Sequence, residues 1–442
     1  MNRESNSGET IDAAGPARWL RSIGPGLVTA CVVIGPGSIL TSSKVGATHG
    51  YGMSWVVVAA VVFMLAYMTL GARLGVVTGQ SAGDLVTRTA GRPLAVLIGL
   101  GVFLISAAYQ FGNNLGVDSA VRAYVAWDWT VVVFNAIAIA FLFAFKNLYQ
   151  ALERLMSVFV GLMLLAFAVN LGFALLNQTP AAARAAVEAA PVIDLSLLGL
   201  VGTTFVITAA YYQSYLVQFR GWSVKDLKLG LIDARVGSVL MALITLMIMW
   251  NAAAVFYGRL SGDDLASVGD VAAQLESAFG PKGRALFCLG LFSAAYSSFL
   301  VNSMIGGFIL ADGLGLGSKP NELWPRLFTV AVLLTGMGVA LYVIRSGQKP
   351  VAAIVAAQAI TVLAAPLMAG TLWWLTSKRD LMGEHVNGPG THVLAGLGFL
   401  ILLGMAYRLV TVEIPKGLES LGQKPAVTLV HGHPISIRET LR

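Results

Sequence analysis

Three features of the sequence predict an all-α integral membrane fold of eleven transmembrane helices, arranged as a 5+5 inverted repeat with one added helix. Charged residues make up only 12% of the chain against 57% hydrophobic residues, and a soluble domain needs about twice that charge to cover its surface. The charges are excluded from a series of runs about 20 residues long, the length at which a helix crosses the hydrocarbon core. Two of these runs, five apart in the series, have interiors unlike the others, and interrupted or polar spans at matching positions of two halves mark an inverted-repeat transporter with its site near the midplane. The runs lack the period-two alternation of barrel strands, which excludes a membrane β-barrel.

In order, the uncharged runs are Ser22–Ser43, Trp55–Ala72, Pro93–Val117, Trp129–Phe145, Leu155–Gln178, Leu195–Phe219, Val236–Tyr257, Ala285–Ala311, Leu327–Ile344, Pro350–Ser377 and His392–Tyr407. They define one transmembrane domain over residues 17–411, with a first repeat over about 22–178, a second over about 195–377 and an eleventh helix over about 392–407. Residues 1–16 and 412–442 read as polar tails, and no cleavable signal segment is expected. The partners are the lipid bilayer and a small-molecule or ion substrate. The net charge of +7 reflects Lys and Arg kept in cytoplasmic loops, not nucleic-acid binding. Cys31 and Cys288 both fall inside apolar runs and read as packing residues. Gly313–Gly317 lacks a Walker lysine and reads as a loop, and His431 and His433 form no ligand set by themselves. No cofactor, no metal-ligand cluster and no catalytic constellation is expected, so the chain is not an enzyme.

The first run carries Gly24-Pro25-Gly26 near its start and Gly35-Pro36-Gly37-Ser38 in its middle. Proline removes a backbone donor and glycine leaves helical geometry cheaply. Such a mid-membrane break is tolerated where it lines a cavity. Ser38 is the expected N-cap of the second half-helix. The sixth run is rich in polar residues, with Thr203, Thr204, Thr208, Gln213 and Ser214.

Further motifs follow in order: Lys44 to Tyr51, Arg73-Leu74-Gly75 with Thr78-Gly79, Leu152-Glu153-Arg154, Gln358 with Pro366, and Leu381-Met382-Gly383 with Asn387. Together with the two Gly-Pro-Gly segments, these resemble the Nramp family of proton-coupled divalent metal transporters over about residues 22–410. The resemblance implies a LeuT-like fold. It also implies a metal site, and there the sequence departs from the family. Gly35 and Ser38 stand where the family has Asp and Asn in its first helix. Val206 stands at the metal-binding Met, Ile207-Thr208 at a Pro-His pair and Gln213 at a second His. Gln110 and Asn113 occupy positions of acidic residues on the family's proton path. Gln358 is retained, and Arg326 matches a basic residue at the start of the ninth helix.

The expected substrate site is therefore Gly35, Ser38, Thr203, Val206, Thr208 and Gln358, with Gln110, Asn113 and Gln213 on the former coupling path. A stripped divalent cation needs anionic oxygens or His, Cys or Met donors, and without a countercharge it is strongly disfavoured in a dry site. Amides do not titrate, so the proton route is expected to be dismantled. Two cargo readings follow. One is a small organic solute, its anionic group drawn to the half-helix N-terminus at Ser38 and its body lined by Tyr109, Tyr211, Tyr212, Tyr215 and Tyr296. The other is a weakly held divalent cation, as the family implies. A ligand-binding receptor without transport is the alternative of a different class.

Basic residues bias the topology. Arg3, Arg18, Arg21, Arg73, Arg88, Arg92, Lys146, Arg154, Arg220, Lys225, Lys228, Arg235, Lys319, Arg326, Lys378 and Arg379 lie on the N-terminal side. Lys44, Arg122, Arg184, Arg259, Lys282, Arg284, Arg345 and Lys349 lie on the other. The bias places the N-terminus in the cytoplasm and, after eleven spans, the C-terminus outside. Single-cysteine accessibility labelling checks this: positions near Lys225 and near Gly262 label from opposite faces, and labelling from one face overturns the topology.

Overall fold

The computed structural model describes residues 34–144, 194–258, 281–346 and 350–416, with scattered positions between 151 and 176 and between 265 and 271. The start of the first span with Gly24-Pro25-Gly26 and Cys31, the Leu152-Glu153-Arg154 motif, most of the fifth span and most of both tails lie outside the described residues. Within them every regular element is helical. Among the described residues, eight helical segments are long and apolar enough to cross a membrane, two of them being pairs of half-helices, Leu195–Phe219 and Ala353–Thr376.

The first span continues as α1 (Pro36–His49), followed by α2 (Ser54–Thr78). A short helix that the sequence reading placed in a loop, α3 (Ala82–Ala90), precedes α4 (Arg92–Arg122). Ser81 caps α3 by accepting from the Asp84 N–H at 3.1 Å. Next come α5 (Thr130–Ala144), α6 (Leu195–Thr204), α7 (Ile207–Phe219) and α8 (Leu227–Phe256). The turn before α8 is a capping box in which the Ser223 N–H and hydroxyl donate to Asp226. Those bonds hold the exposed Asp226 carboxyl below its usual range. The remaining helices are α9 (Pro281–Leu314), α10 (Leu323–Ser346), α11 (Pro350–Ile360), α12 (Ala365–Thr376) and α13 (Pro389–Arg408), which runs on through a π-helical turn at Leu409–Glu413.

Two expectations about continuity need correction. The sixth span is two helices, α6 and α7, separated at Phe205–Val206, where a continuous polar helix was expected. The tenth is also two helices, α11 and α12, separated at Thr361–Ala364. The sixth breaks without Gly or Pro at the break itself. Six consecutive β-branched or aromatic residues, Thr203 to Thr208, lose side-chain freedom in a helix, so the cost of leaving helical geometry is small there. In the tenth, Pro366 falls in the first turn of α12, where a missing N–H costs nothing.

The half-helices are held by close packing. α4 lies along α9, α9 along α10, and α1 against α6 and α8. α7 packs on α2 through Gly71 and Gly75, four residues apart. A Cβ on either glycine would collide with the carbonyl of Ala210 or Ser214. Small residues at this spacing let two backbones approach, which matters in lipid, where the hydrophobic effect does not drive helices together. Gly75→Val is expected to lower stability by about 1–3 kcal/mol through overpacking, read as a lower thermal unfolding midpoint of the purified protein in detergent.

Candidate functional site

The start of α1 meets the breaks of the sixth and tenth spans. Gly35 is extended (φ −116°, ψ −176°) and is itself the N-cap of α1, so the first helical bond runs from the Ile39 N–H to the Gly35 carbonyl at 3.2 Å. Ser38, the expected cap, lies instead within the first turn, 2% exposed. Pro36 is the reason: its φ is already helical and it has no N–H to lose at the first position, so the helix starts earlier than a serine cap requires.

Side chains from other spans supply the hydrogen bonds that the breaks lack. The Ser298 hydroxyl of α9 donates to the Ile34 carbonyl at 3.1 Å. The Tyr109 hydroxyl of α4 contacts the Gly202 carbonyl at 3.1 Å and the Thr361 hydroxyl at 3.3 Å, joining the sixth and tenth breaks. Thr361 in turn donates to the Gln358 carbonyl at 2.6 Å. Thr41 of α1 and Thr203 of α6 bring their hydroxyls to 3.4 Å.

Of the expected substrate residues, Gly35, Thr203, Val206, Thr208 and Gln358 all lie at these breaks. Gly37 has no Cβ because the Gln358 amide occupies that space, and Gly112 of α4 flanks the same amide. Gln358 Oε1 and Thr208 Oγ1 are buried without a hydrogen-bond partner among the described residues. Val206 and Thr208 line a cavity of about 10 Å³ together with Tyr109, Gly202, Phe205 and Thr361. That is close to the space one water needs. Of the five tyrosines expected to line a wide pocket, Tyr109 alone is among its lining residues. Tyr212 stacks on Tyr215, and Tyr296 stacks on Phe292. Two larger apolar grooves, of about 690 and 300 Å³, contain none of the expected site residues.

The former coupling positions are split. Asn113 Nδ2 reaches Gln110 Oε1 at 3.4 Å, and a Cβ added to Gly35 would lie 3.1 Å from both Asn113 Oδ1 and Ser298 Oγ. The amide track extends away from the break: Asn114 donates to the Gln110 carbonyl at 2.8 Å, and Asn135 of α5 donates to Asn114 Oδ1 at 2.6 Å. Gln213 lies further along α7, beside Gly71 of α2. Arg326 is tied to its own loop through the Pro320 carbonyl and Asn321. Ser298 and Thr361 were missed as site residues, and Tyr109 was expected as an aromatic wall and not as a hydrogen-bond donor; the signal of all three was a polar group inside an uncharged run. No group of three or more His, Cys, Asp or Glu that could hold a metal exists among the described residues.

Half-helices that meet inside the helix bundle, closed by side chains from neighbouring spans, are the architecture of a LeuT-like inverted-repeat membrane transporter, and the family matched is one of transporters, not enzymes. The profile of the natural resistance-associated macrophage protein-like (Nramp) family matches residues 26–412, and the chain belongs to that family. It is 28% identical over 403 residues to the divalent metal cation transporter MntH of Chromohalobacter salexigens, covering 85% of this chain and 88% of the relative. Its fold is similar to that of a manganese transporter from Eremococcus coleocola, with a TM-score of 0.74 at 17% identity over 99% of this chain and 94% of that one. It is also similar to Mhp1, a nucleobase-cation-symport-1 family transporter, with a TM-score of 0.55 at 12% identity over 88% and 92% of the two chains.

Because Gly37 and Gln358 share one space, Gly37→Ala is expected to displace the amide and reduce transport at least about tenfold, a barrier change of about 1.4 kcal/mol. Uptake into proteoliposomes checks this, with Ala→Gly at the neighbouring Ala359 as the control for general loosening.

Proposed function

We propose that the chain moves a divalent cation by alternating access, holding it weakly and with part of its water shell, at the junction of the first, sixth and tenth spans. The observation that carries this reading is how little space the meeting spans leave: the Gln358 amide fills the room beside Gly37 of the first span, and the cavity between the sixth and tenth breaks is about 10 Å³. That suits an ion or a water, whereas an organic solute of several heavy atoms needs the half-helices to move apart. The names of the relatives, divalent metal cation transporters, favour the same cargo over the organic solute expected from the loss of ligands. The N-terminus lies in the cytoplasm by the basic bias of the loops.

The donor set explains why binding is weak. Gly35, Ser38 and Val206 replace a carboxylate, an amide and a thioether with a hydrogen, a hydroxyl and an isopropyl group. The remaining donors are Thr208, Thr203, the Gln358 amide and the carbonyls at the C-terminal end of α6. All are neutral. Hard divalent cations accept neutral oxygens, but charge on the ligands sets their affinity. A cation that keeps several waters loses less hydration energy, and bridging waters reach donors too distant for direct contact.

The neutral donors are also the one feature that favours an organic solute, so the test compares both cargoes. A thermal-shift series with Mn²⁺, Mg²⁺, amino acids and small carboxylic acids reads binding to the folded state. Mn²⁺ or Mg²⁺ is expected to raise the midpoint only in the millimolar range, and a proteoliposome assay is expected to show saturable Mn²⁺ uptake. Stabilisation and uptake of an amino acid or carboxylic acid, with no response to any divalent cation, overturns the reading. Binding without accumulation identifies a receptor instead.

A further inference from the structure

Two carboxylates are buried among the described residues, Asp118 and Asp312. Asp118 has a cation beside it: Arg122 lies one turn on, at 2.8 Å. Asp312 has none. It is 3% exposed, and its hydrogen bonds come from neutral donors on two other helices. The Ser81 hydroxyl donates to Oδ1 at 2.9 Å. The Gly83 N–H donates to Oδ2 at 3.0 Å, and the Tyr215 hydroxyl to the same oxygen at 2.5 Å.

The setting is built for this carboxylate. Gly83 has no Cβ because Asp312 occupies the position where one would lie. Ser81 and Gly83 open α3, so the positive end of that helix faces Asp312 in place of a basic side chain. The other titratable or charged groups around it are Asp84 in the first turn of α3 and Tyr211 and Tyr215 on α7. Arg88 of α3 turns to Gln80, and Arg92 at the start of α4 packs on Gly315, past the carboxylate.

The junction involves a half-helix. Tyr215 sits on α7, which begins at the sixth break, and Asp312 sits on α9, which carries Ser298 to the first break. An ionised Asp312 makes three charge-assisted hydrogen bonds that hold α3, α7 and α9 together. A neutral Asp312 makes weaker ones. We propose that Asp312 is the group that takes up and releases a proton during the transport cycle, its bonds to Ser81, Gly83 and Tyr215 linking that proton to the position of α7. The proton comes from water and adds to a carboxylate oxygen, turning the carboxylate into a carboxylic acid. Ser81, Gly83 and Tyr215 keep their hydrogens, and only the strength of their bonds changes. The proposal rests on the transporter reading and supplies the ionisable group that Gln110, Asn113 and Gln213 cannot provide.

The test is infrared difference spectroscopy of the full chain in lipid as the pH is changed. Exposed carboxylates titrate too, so the signal is the band at the high frequency of a buried carboxylic acid: the wild type is expected to show one that rises as pH falls, and Asp312→Asn is expected to remove it. Tyr215→Phe keeps the carboxyl but deletes one donor, and is expected to move the midpoint of that band by about one pH unit. This variant keeps the question open to measurement even if Asp312→Asn does not fold. A band that persists in Asp312→Asn, or a midpoint unmoved by Tyr215→Phe, overturns the proposal, as does a wild type with no titrating carboxyl band. Mn²⁺ uptake by the wild type reports separately on the cargo, so either reading can fail without the other.

Discussion

Backbone polarity in lipid is the constraint on which the rest of this structure depends. A helix satisfies its own N–H and carbonyl groups, but a helix broken at the midplane exposes several of them where no bulk water reaches, each at a cost of several kcal/mol if unpaired. Among the described residues the sixth and tenth spans are broken and α1 begins beside them at Gly35, and the structure shows how the exposed groups are met. Ser298 serves the Ile34 carbonyl, Tyr109 the Gly202 carbonyl and Thr361 the Gln358 carbonyl. The first two donors stand on α4 and α9, which also form an extensive packing pair. The breaks are therefore held from a rigid neighbour, and the half-helices that begin at them can change angle without all of their partners being lost at once.

The same constraint bears on the chemistry of the site. The resemblance implies carboxylate, imidazole and thioether ligands where this chain has Gly35, Val206 and Thr208, yet the expected site is not apolar. Hydroxyls and amides stand at Ser38 and Thr208 and along the expected coupling path at Gln110, Asn113 and Gln213. Neutral hydrogen-bonding groups can answer broken backbone and bind water at a far smaller desolvation cost than charges. The price of that choice is ligand field strength, since neutral oxygens do not compensate a double positive charge. Under the proposed function, a partly hydrated ion reconciles a retained scaffold with a neutral site.

Much of this was legible in the sequence for simple reasons. A span must exclude charge over about 20 residues, so the uncharged runs found the helices, and Gly35-Pro36-Gly37 marked the first break because those residues leave helical geometry at low cost. The sixth break carried no such mark. Phe205 and Val206 are ordinary helix-interior residues in a membrane span, and only the run of β-branched neighbours hinted at weakness. The cap of α1 was misplaced at Ser38 because serine is a strong cap by local rules, while proline at the first position moved the start to Gly35. Asp312 was overlooked for a different reason. It follows the uncharged run at Ala311 and precedes a glycine-rich stretch, a pattern that reads as the edge of a loop. Burial under α3 and α7 is a tertiary fact that no local pattern carries.

Gly35 shows how far the change of site extends. If only the ligand had been lost, the space of the missing carboxylate would remain beside the break. Instead the direction of a Cβ at Gly35 is closed by Asn113 Oδ1 and Ser298 Oγ, both at 3.1 Å, tighter than ordinary van der Waals contact. Ser298 is engaged with the Ile34 carbonyl, and Asn113 with Gln110. A side chain added at Gly35 would need both to give by a few tenths of an ångström, and Ser298 gives at the expense of its bond to the Ile34 carbonyl. The neutral residues on α4 and α9 thus depend on the glycine of the first span, and the glycine depends on them. Packing and donor chemistry around Gly35 are therefore coupled, and a single restored ligand does not restore the site the resemblance implies.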